Sequence, residues 1–232
     1  MPLLSTRRLA AITAFMTLAL LLWDFGGLDL TLARWVGGPT GFALQDHWLL
    51  TQVIHDGARR AAWLLLLALS LGVWWPWGGL DRIGLGRRLQ FAATCLLAVS
   101  VVSALKSLNP TSCPWELAEF GGVAQYASHW RLLGGNDGGA GRCFPAGHAS
   151  AGFAFVGGYF AFRHAAPSLA RTWLLGAVLA GSALGLTQQL RGAHFMSHTL
   201  WSGWICWCVA WAVDAAAVWR TPERVLNQRD PA

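Results

Sequence analysis

Three histidines, a lysine and an arginine stand in this chain where ionisable groups are costly to keep. His148 follows Pro145-Ala146-Gly147, at the point where a polar loop turns into an apolar stretch. Proline fixes φ, glycine permits close backbone approach, and the first turn of a helix offers free N–H groups to an anion. The turn therefore directs the Gly147 backbone and an imidazole at one ligand. Lys106, the only lysine in the sequence, closes another apolar run. An ionisable group there is functional by default, against the alternative of a side chain snorkelling to the interface.

The third constellation is Arg191, His194 and His198, spaced i, i+3 and i+7. They share one face of a continuous helix, and if the helix breaks at Gly192 the two histidines still stack at i+4. Such a histidine pair also suits a metal or a haem. No cysteine or carboxylate completes a metal set on this face, and the arginine favours an anion over a cation. Two cations with imidazoles suit phosphate, whose charge they bind and stabilise during transfer.

The elements that must position these residues are membrane spans. Of 232 residues, 55% are hydrophobic and 12% charged, with 15 tryptophans, and the mean hydropathy is +0.43. A bilayer core of about 30 Å needs about 20 apolar residues per helix, so the expected fold is all-α, a polytopic membrane protein with about six transmembrane helices in a single domain, 1–232. The spans are expected near residues 9–23, 61–77, 90–108, 147–162, 172–190 and 198–219. The first has no small-residue cleavage site and reads as a retained helix, not a signal peptide. Residues 47–54 read as an amphipathic helix lying on the membrane surface. No fixed-period repeat or low-complexity tract interrupts the pattern.

The formal charge of +6 does not form a patch, which argues for membrane orientation and against nucleic-acid binding. With the N-terminus inside, the cytoplasmic side holds Arg7, Arg8, Arg82, Arg87, Arg88, Arg163, Arg171, Arg220, Arg224 and Arg229 out of 17 basic residues. Both termini are then cytoplasmic, and the three constellations share the opposite, periplasmic face of a bacterial inner membrane. Cys113 and Cys143 bracket the long polar loop on that oxidising side, where a disulfide is expected, and Cys95, Cys206 and Cys208 read as buried apolar side chains. Trp201, Trp204, Trp207 and Trp211 form a stripe on the last span, read as interfacial belt and helix packing. Glu116, Glu119, His129 and Asp137 in the loop read as mostly solvated.

These residues resemble the three signatures of the type 2 phosphatidic acid phosphatase superfamily: lysine, six residues, Arg-Pro; Pro-Ser-Gly-His; and Ser-Arg, five residues, His, three residues, Asp. The likeness covers about 90–205. Lys106 lies six residues before Cys113-Pro114, with cysteine where the family has arginine. Pro145-Ala146-Gly147-His148 matches the second signature with alanine for serine. In the third, His194 takes the nucleophile's place, His198 the aspartate's, and Gln188 the arginine's, with Arg191 one turn later. The resemblance implies that His194 attacks phosphorus and that His148 protonates the leaving oxygen and later activates water. Lys106, Arg191 and the Gly147 backbone would bind the phosphate, without metal or cofactor, and His198 would accept a hydrogen bond from His194.

The implied substrate is a phospholipid or isoprenoid phosphate, hydrolysed among membrane lipids as monoester or pyrophosphate. Three rivals stand beside this reading. A phosphotransferase would use the same site with a lipid acceptor. A phospholipid-binding or transport protein would have kept the anion site and lost the chemistry, as the changes at Cys113 and His198 allow. A haem- or quinone-linked redox protein would use the histidines with the cysteine pair.

Overall fold

The computed structural model describes residues 5–131 and 137–219. The three tail arginines assigned to the cytoplasmic side, Arg220, Arg224 and Arg229, lie outside the described residues. Among the described residues the chain is mainly helical, with one two-stranded hairpin, β1 (Gly37–Gly38) with β2 (Gly41–Phe42), and a long, largely irregular loop after Leu108. Among these residues, four helices are long and apolar enough to cross a membrane: α1 (Thr6–Phe25), α4 (Leu85–Leu108), α7 (Pro167–Leu190) and most of α8 (Met196–Trp219). Their ends follow local chemistry. The Ser5 hydroxyl accepts from the Arg8 amide at the start of α1. Pro167 occupies the first turn of α7, where its missing N–H costs nothing.

Two further stretches complete the bundle differently from the sequence expectation. Residues 47–54, expected on the membrane surface, largely belong to a π-helical segment, Leu49–Gly57, that runs without a break into α3 (Ala58–Leu71). The residues at the junction keep helical dihedrals, so this piece enters the bundle as the first turns of the same helix. The stretch after the Pro-Ala-Gly turn is α5 (Gly147–Phe153), a 3₁₀ turn at Ala154–Val156, and α6 (Gly157–Phe162).

Small residues bring the central helices together. A Cβ on Gly152 would lie 2.3 Å from the Gly181 nitrogen, so α5 and α7 touch backbone to backbone. A Cβ on Gly185 would meet the Thr199 side chain at 2.0 Å, which brings α7 equally close to α8. Between membrane helices, where apolar burial gives no drive, such contact supplies the packing attraction. α1 attaches to α8 through the tryptophan stripe: Trp204 Nε1 donates to Thr17 Oγ1 at 2.9 Å, and Trp207 Nε1 to Thr13 Oγ1 at 2.8 Å. At the next turn Trp201 Nε1 donates to Asp24 Oδ2 at 2.9 Å. The stripe therefore packs one helix on another, with the indole N–H groups of Trp201, Trp204 and Trp207 satisfied.

One end of the bundle is closed by ions. Asp214 on α8 is 1% exposed and accepts from Arg87 Nη1 and Arg163 Nη2, both at 2.6 Å, and from Gln90 Nε2 at 3.1 Å. Two arginines read from sequence only as orientation charges thus tie α4 and the end of α6 to α8. Lys106 lies nineteen residues beyond Arg87, roughly 28 Å further along α4 at the usual helical rise, so the phosphate constellations occupy the other end.

Candidate active site

Three elements deliver the predicted side chains to that end. Lys106 sits in the last turn of α4, which stops where Asn109 leaves the helical region and Pro110 follows. His148 is in the first turn of α5. Arg191 caps α7, Gly192 reverses the chain at φ 73°, and His194 lies just before α8 begins. The break at Gly192 is set by packing as well as by φ, because a Cβ there would lie 2.3 Å from the Phe42 ring.

Lys106 Nζ lies 3.5 Å from His194 Nε2, and the Lys106 stem runs 3.7 Å from where a Gly147 Cβ would be. His194 is 3% exposed. Its other ring nitrogen, Nδ1, is 3.4 Å from His198 Nδ1, and the Cys143 carbonyl is an acceptor for either ring. This arrangement turns the Nδ1 edge of His194 inward to acceptors and leaves Nε2 with its lone pair toward the lysine. Burial, then the charges of Lys106, His198 and His148, pushes the His194 pKa well below its ordinary value. The ring is held neutral, the state a nucleophile needs.

Arg191 does not present its whole fork to this point. Its Nε donates to the Gln45 carbonyl at 2.8 Å and its Nη1 to Gln188 Oε1 at 3.2 Å, while the guanidinium lies 5.8 Å from the Trp115 ring centre. Gln188 stands where the family signature has arginine, and here it steers the arginine one turn on. Arg191 is close enough for its charge to act on His148. Of the predicted phosphate-binding set, Lys106 and Gly147 adjoin directly, next to His148 in the lining of one cavity, and Arg191 flanks them.

The long loop closes over the site. Cys113 and Cys143 are bonded, S–S 2.09 Å, across a sequence separation of 30. Cys143 Sγ lies 3.5 Å from His194 Nδ1, so the bridge forms part of the floor beside that histidine. These two cysteines and His194 place ligating atoms within 4.8 Å of one another, but both sulfurs are committed to the disulfide.

Of the four loop residues expected to be solvated, Glu119 is exposed, Glu116 and Asp137 are half-buried and His129 is buried. His129 is 7% exposed; it stacks on Phe144 at 4.1 Å between ring centres, meets His198 edge-on at 5.5 Å, and its Nε2 lies 3.3 Å from Asp24 Oδ2. Asp137 accepts from the Ser112 amide and hydroxyl, both at 2.7 Å, and Glu116 caps the Cys113 amide at 2.7 Å. Glu119 pairs with Arg34 and is the most solvent-accessible of the four. Each acid finds a partner because the loop folds on itself and on α1 and α2 (Leu28–Val36), contacts that local sequence does not encode.

The sequence reading also missed three groups. Asp29 on α2 is buried, accepts from the Ser197 amide at 3.0 Å and from its hydroxyl, and so anchors the start of α8 next to His198. Asp24 takes N–H donors from Trp130 and Trp201. His55, in the π-helical segment, stacks on His148 with ring centres 3.5 Å apart. An aspartate ending an apolar helix was the available signal for Asp24; nothing local distinguishes His55.

A cavity of about 280 Å³ opens beside Lys106, Gly147 and His148 and runs between α3, α4 and α5, with Arg59 and Trp63 on one wall and Leu66, Cys95, Val99 and Phe155 further in. A second apolar cavity of about 450 Å³ shares Ala62, Ala151 and Phe155 with it.

With this geometry in place, comparison with protein families identifies the chain: residues 88–222 match the PAP2 superfamily, and the protein belongs to it. Phosphatase chemistry on phosphate esters goes with that membership. No curated protein and no solved structure matches the chain.

Proposed function

We propose that the chain is a six-span bacterial inner-membrane phosphatase, both termini cytoplasmic, that removes phosphate from a lipid monoester or pyrophosphate on the periplasmic face through a phosphohistidine. The observation that carries this is the part-buried contact of Lys106 Nζ with His194 Nε2, 3.5 Å, beside a largely apolar cavity that Lys106 lines. The polar end suits a phosphate, and the cavity suits the chain attached to it. The disulfide on the same face supports its placement on the oxidising side. α3 with its π-helical lead-in and the stretch from α5 to α6 supply the fifth and sixth crossings.

In the first step His194 Nε2 attacks phosphorus in line, the bond to the ester oxygen breaks, and that oxygen leaves with a proton from His148. In the second, His148 takes a proton from water, whose oxygen displaces His194 and releases inorganic phosphate. Lys106, Nη2 of Arg191 and the first-turn amides of α5 offset charge on the equatorial oxygens. The aspartate of the family's third signature is absent. His198 and the Cys143 carbonyl do its work as acceptors for Nδ1–H, so His194 keeps Nε2 unprotonated.

The test is phosphate release from phosphatidic acid, phosphatidylglycerol phosphate and an isoprenyl pyrophosphate in detergent with a chelator, for the native protein and His194→Ala. Release that survives chelation and disappears in the variant supports the reading. Label recovered in a second lipid instead of free phosphate makes the protein a transferase, and binding with no turnover makes it a lipid-binding protein.

A further inference from the structure

His55 lies outside the residues matched by the family, on a nine-residue π-helical segment, and it meets the site at His148. Its ring lies over that of His148, centroids 3.5 Å apart and planes inclined by 26°. His55 Nδ1 is 3.0 Å from Asp56 Oδ1, and Arg59 Nη2 stands 4.0 Å from the same oxygen. His148, in contrast, has its Nε2 buried with no hydrogen-bond partner among the described residues. A general acid must meet its oxygen within about 2.6–3.2 Å and in the ring plane. No hydrogen bond at Nε2 sets that plane here; the face-to-face contact is what restricts the ring.

We propose that His55, itself oriented by Asp56, is a positioning residue that holds the His148 imidazole in the plane from which it protonates the leaving oxygen. The π-helical geometry is part of the device. Widening the turn alters the angular position of the residues that follow relative to an α-helix, and such segments recur at functional sites. The aspartate is adjacent in sequence, and its carboxylate fixes His55 by accepting from Nδ1–H. His55 needs no contact with the substrate, because it acts only through the ring beneath it. The inference rests on the role proposed above for His148.

The experiment exploits leaving groups. A general acid matters greatly when an alkoxide must leave and little when the leaving group is already stable as an anion. The full chain in detergent is assayed for kcat/KM, which reports phosphoenzyme formation, on dioctanoyl phosphatidic acid and on p-nitrophenyl phosphate. His55→Ala is expected to lower the value for the alkyl ester by about 10- to 100-fold, part of the 10²- to 10⁴-fold that general acid catalysis supplies, with the loss in kcat and not in KM. The aryl ester should fall by less than about threefold on the same argument. His55→Phe, which keeps a flat ring over His148, should recover most of the loss.

Equal falls on both esters, no fall on either, or a loss that phenylalanine does not restore would each overturn the proposal. Failure of the underlying reading looks different. Phosphate release that persists in His194→Ala removes the site assignment and this inference together, whereas His194-dependent release with both esters indifferent to His55→Ala removes the inference alone.

Discussion

Asp214→Ala should destabilise the protein markedly without touching its chemistry. The carboxylate is 1% exposed and holds two arginines at 2.6 Å. Removing one member of a buried ionic group leaves uncompensated charge and costs about 3–5 kcal/mol. The lower end applies, because the Arg87 side chain is 31% exposed and can turn to solvent, whereas Arg163 at 11% cannot. A loss of about 3 kcal/mol corresponds to a drop of about 6–12 °C in the unfolding midpoint for a chain of this size. The midpoint is read by tryptophan fluorescence in detergent. The triple replacement Arg87→Met, Arg163→Leu and Asp214→Leu should regain most of the drop, since apolar side chains of similar volume replace buried ion groups at little cost. The site lies at the other end of α4, so phosphatase activity of the folded fraction should be unchanged. A single variant within about 2 °C of native, below the shift expected for even 1 kcal/mol, or a triple variant no better than the single one, would refute the reasoning.

Other expectations concern the site. Reducing the Cys113–Cys143 bridge, or replacing Cys113 by serine, frees a loop of 30 residues and should cost about 3–4 kcal/mol by chain entropy, seen as a lower midpoint under reductant that the serine variant no longer shows. His194 is kept neutral in the fold but protonates when unfolded below about pH 6.5. The unfolded state then binds the extra proton, so stability is lost as pH falls through about 6.5. The native midpoint should drop more steeply between pH 7 and 5 than that of His194→Gln, and parallel slopes would contradict this. Gly192→Ala combines a left-handed backbone with a clash against Phe42, and should cost about 1–3 kcal/mol while lowering kcat through displacement of Arg191 and His194, measured by melting and turnover together.

What the sequence revealed, and what it concealed, follows from the range of the interactions. The long spans were legible because a bilayer demands unbroken apolar runs, Lys106 because it is the only lysine and closes such a run, and His148 and His194 because each stands at the edge of one just after a glycine turn. Asp214 also interrupts one, but its meaning depends on Arg87 and Arg163, far away in sequence. His129 looked like a solvated loop residue, and only the return of the loop onto α1 buries it against Asp24. The surface-helix reading of residues 47–54 stopped one residue short of His55 and missed that the helix continues into α3, because half-polar composition suits equally a helix that carries a polar residue to a site. Arg191 was found, but not its tether: Gln188, read as a missing arginine, is the residue that directs it.

The central claim is that phosphate passes through His194. Rapid acid-free quenching of the protein with a lipid labelled on its terminal phosphate, followed by electrophoresis, tests it most directly. The account predicts a protein-bound label that resists alkali, is released by acid, accumulates in His148→Ala when an aryl phosphate is the donor, and is absent in His194→Ala. Label that is absent from the native protein during turnover, or that remains in His194→Ala, would contradict it.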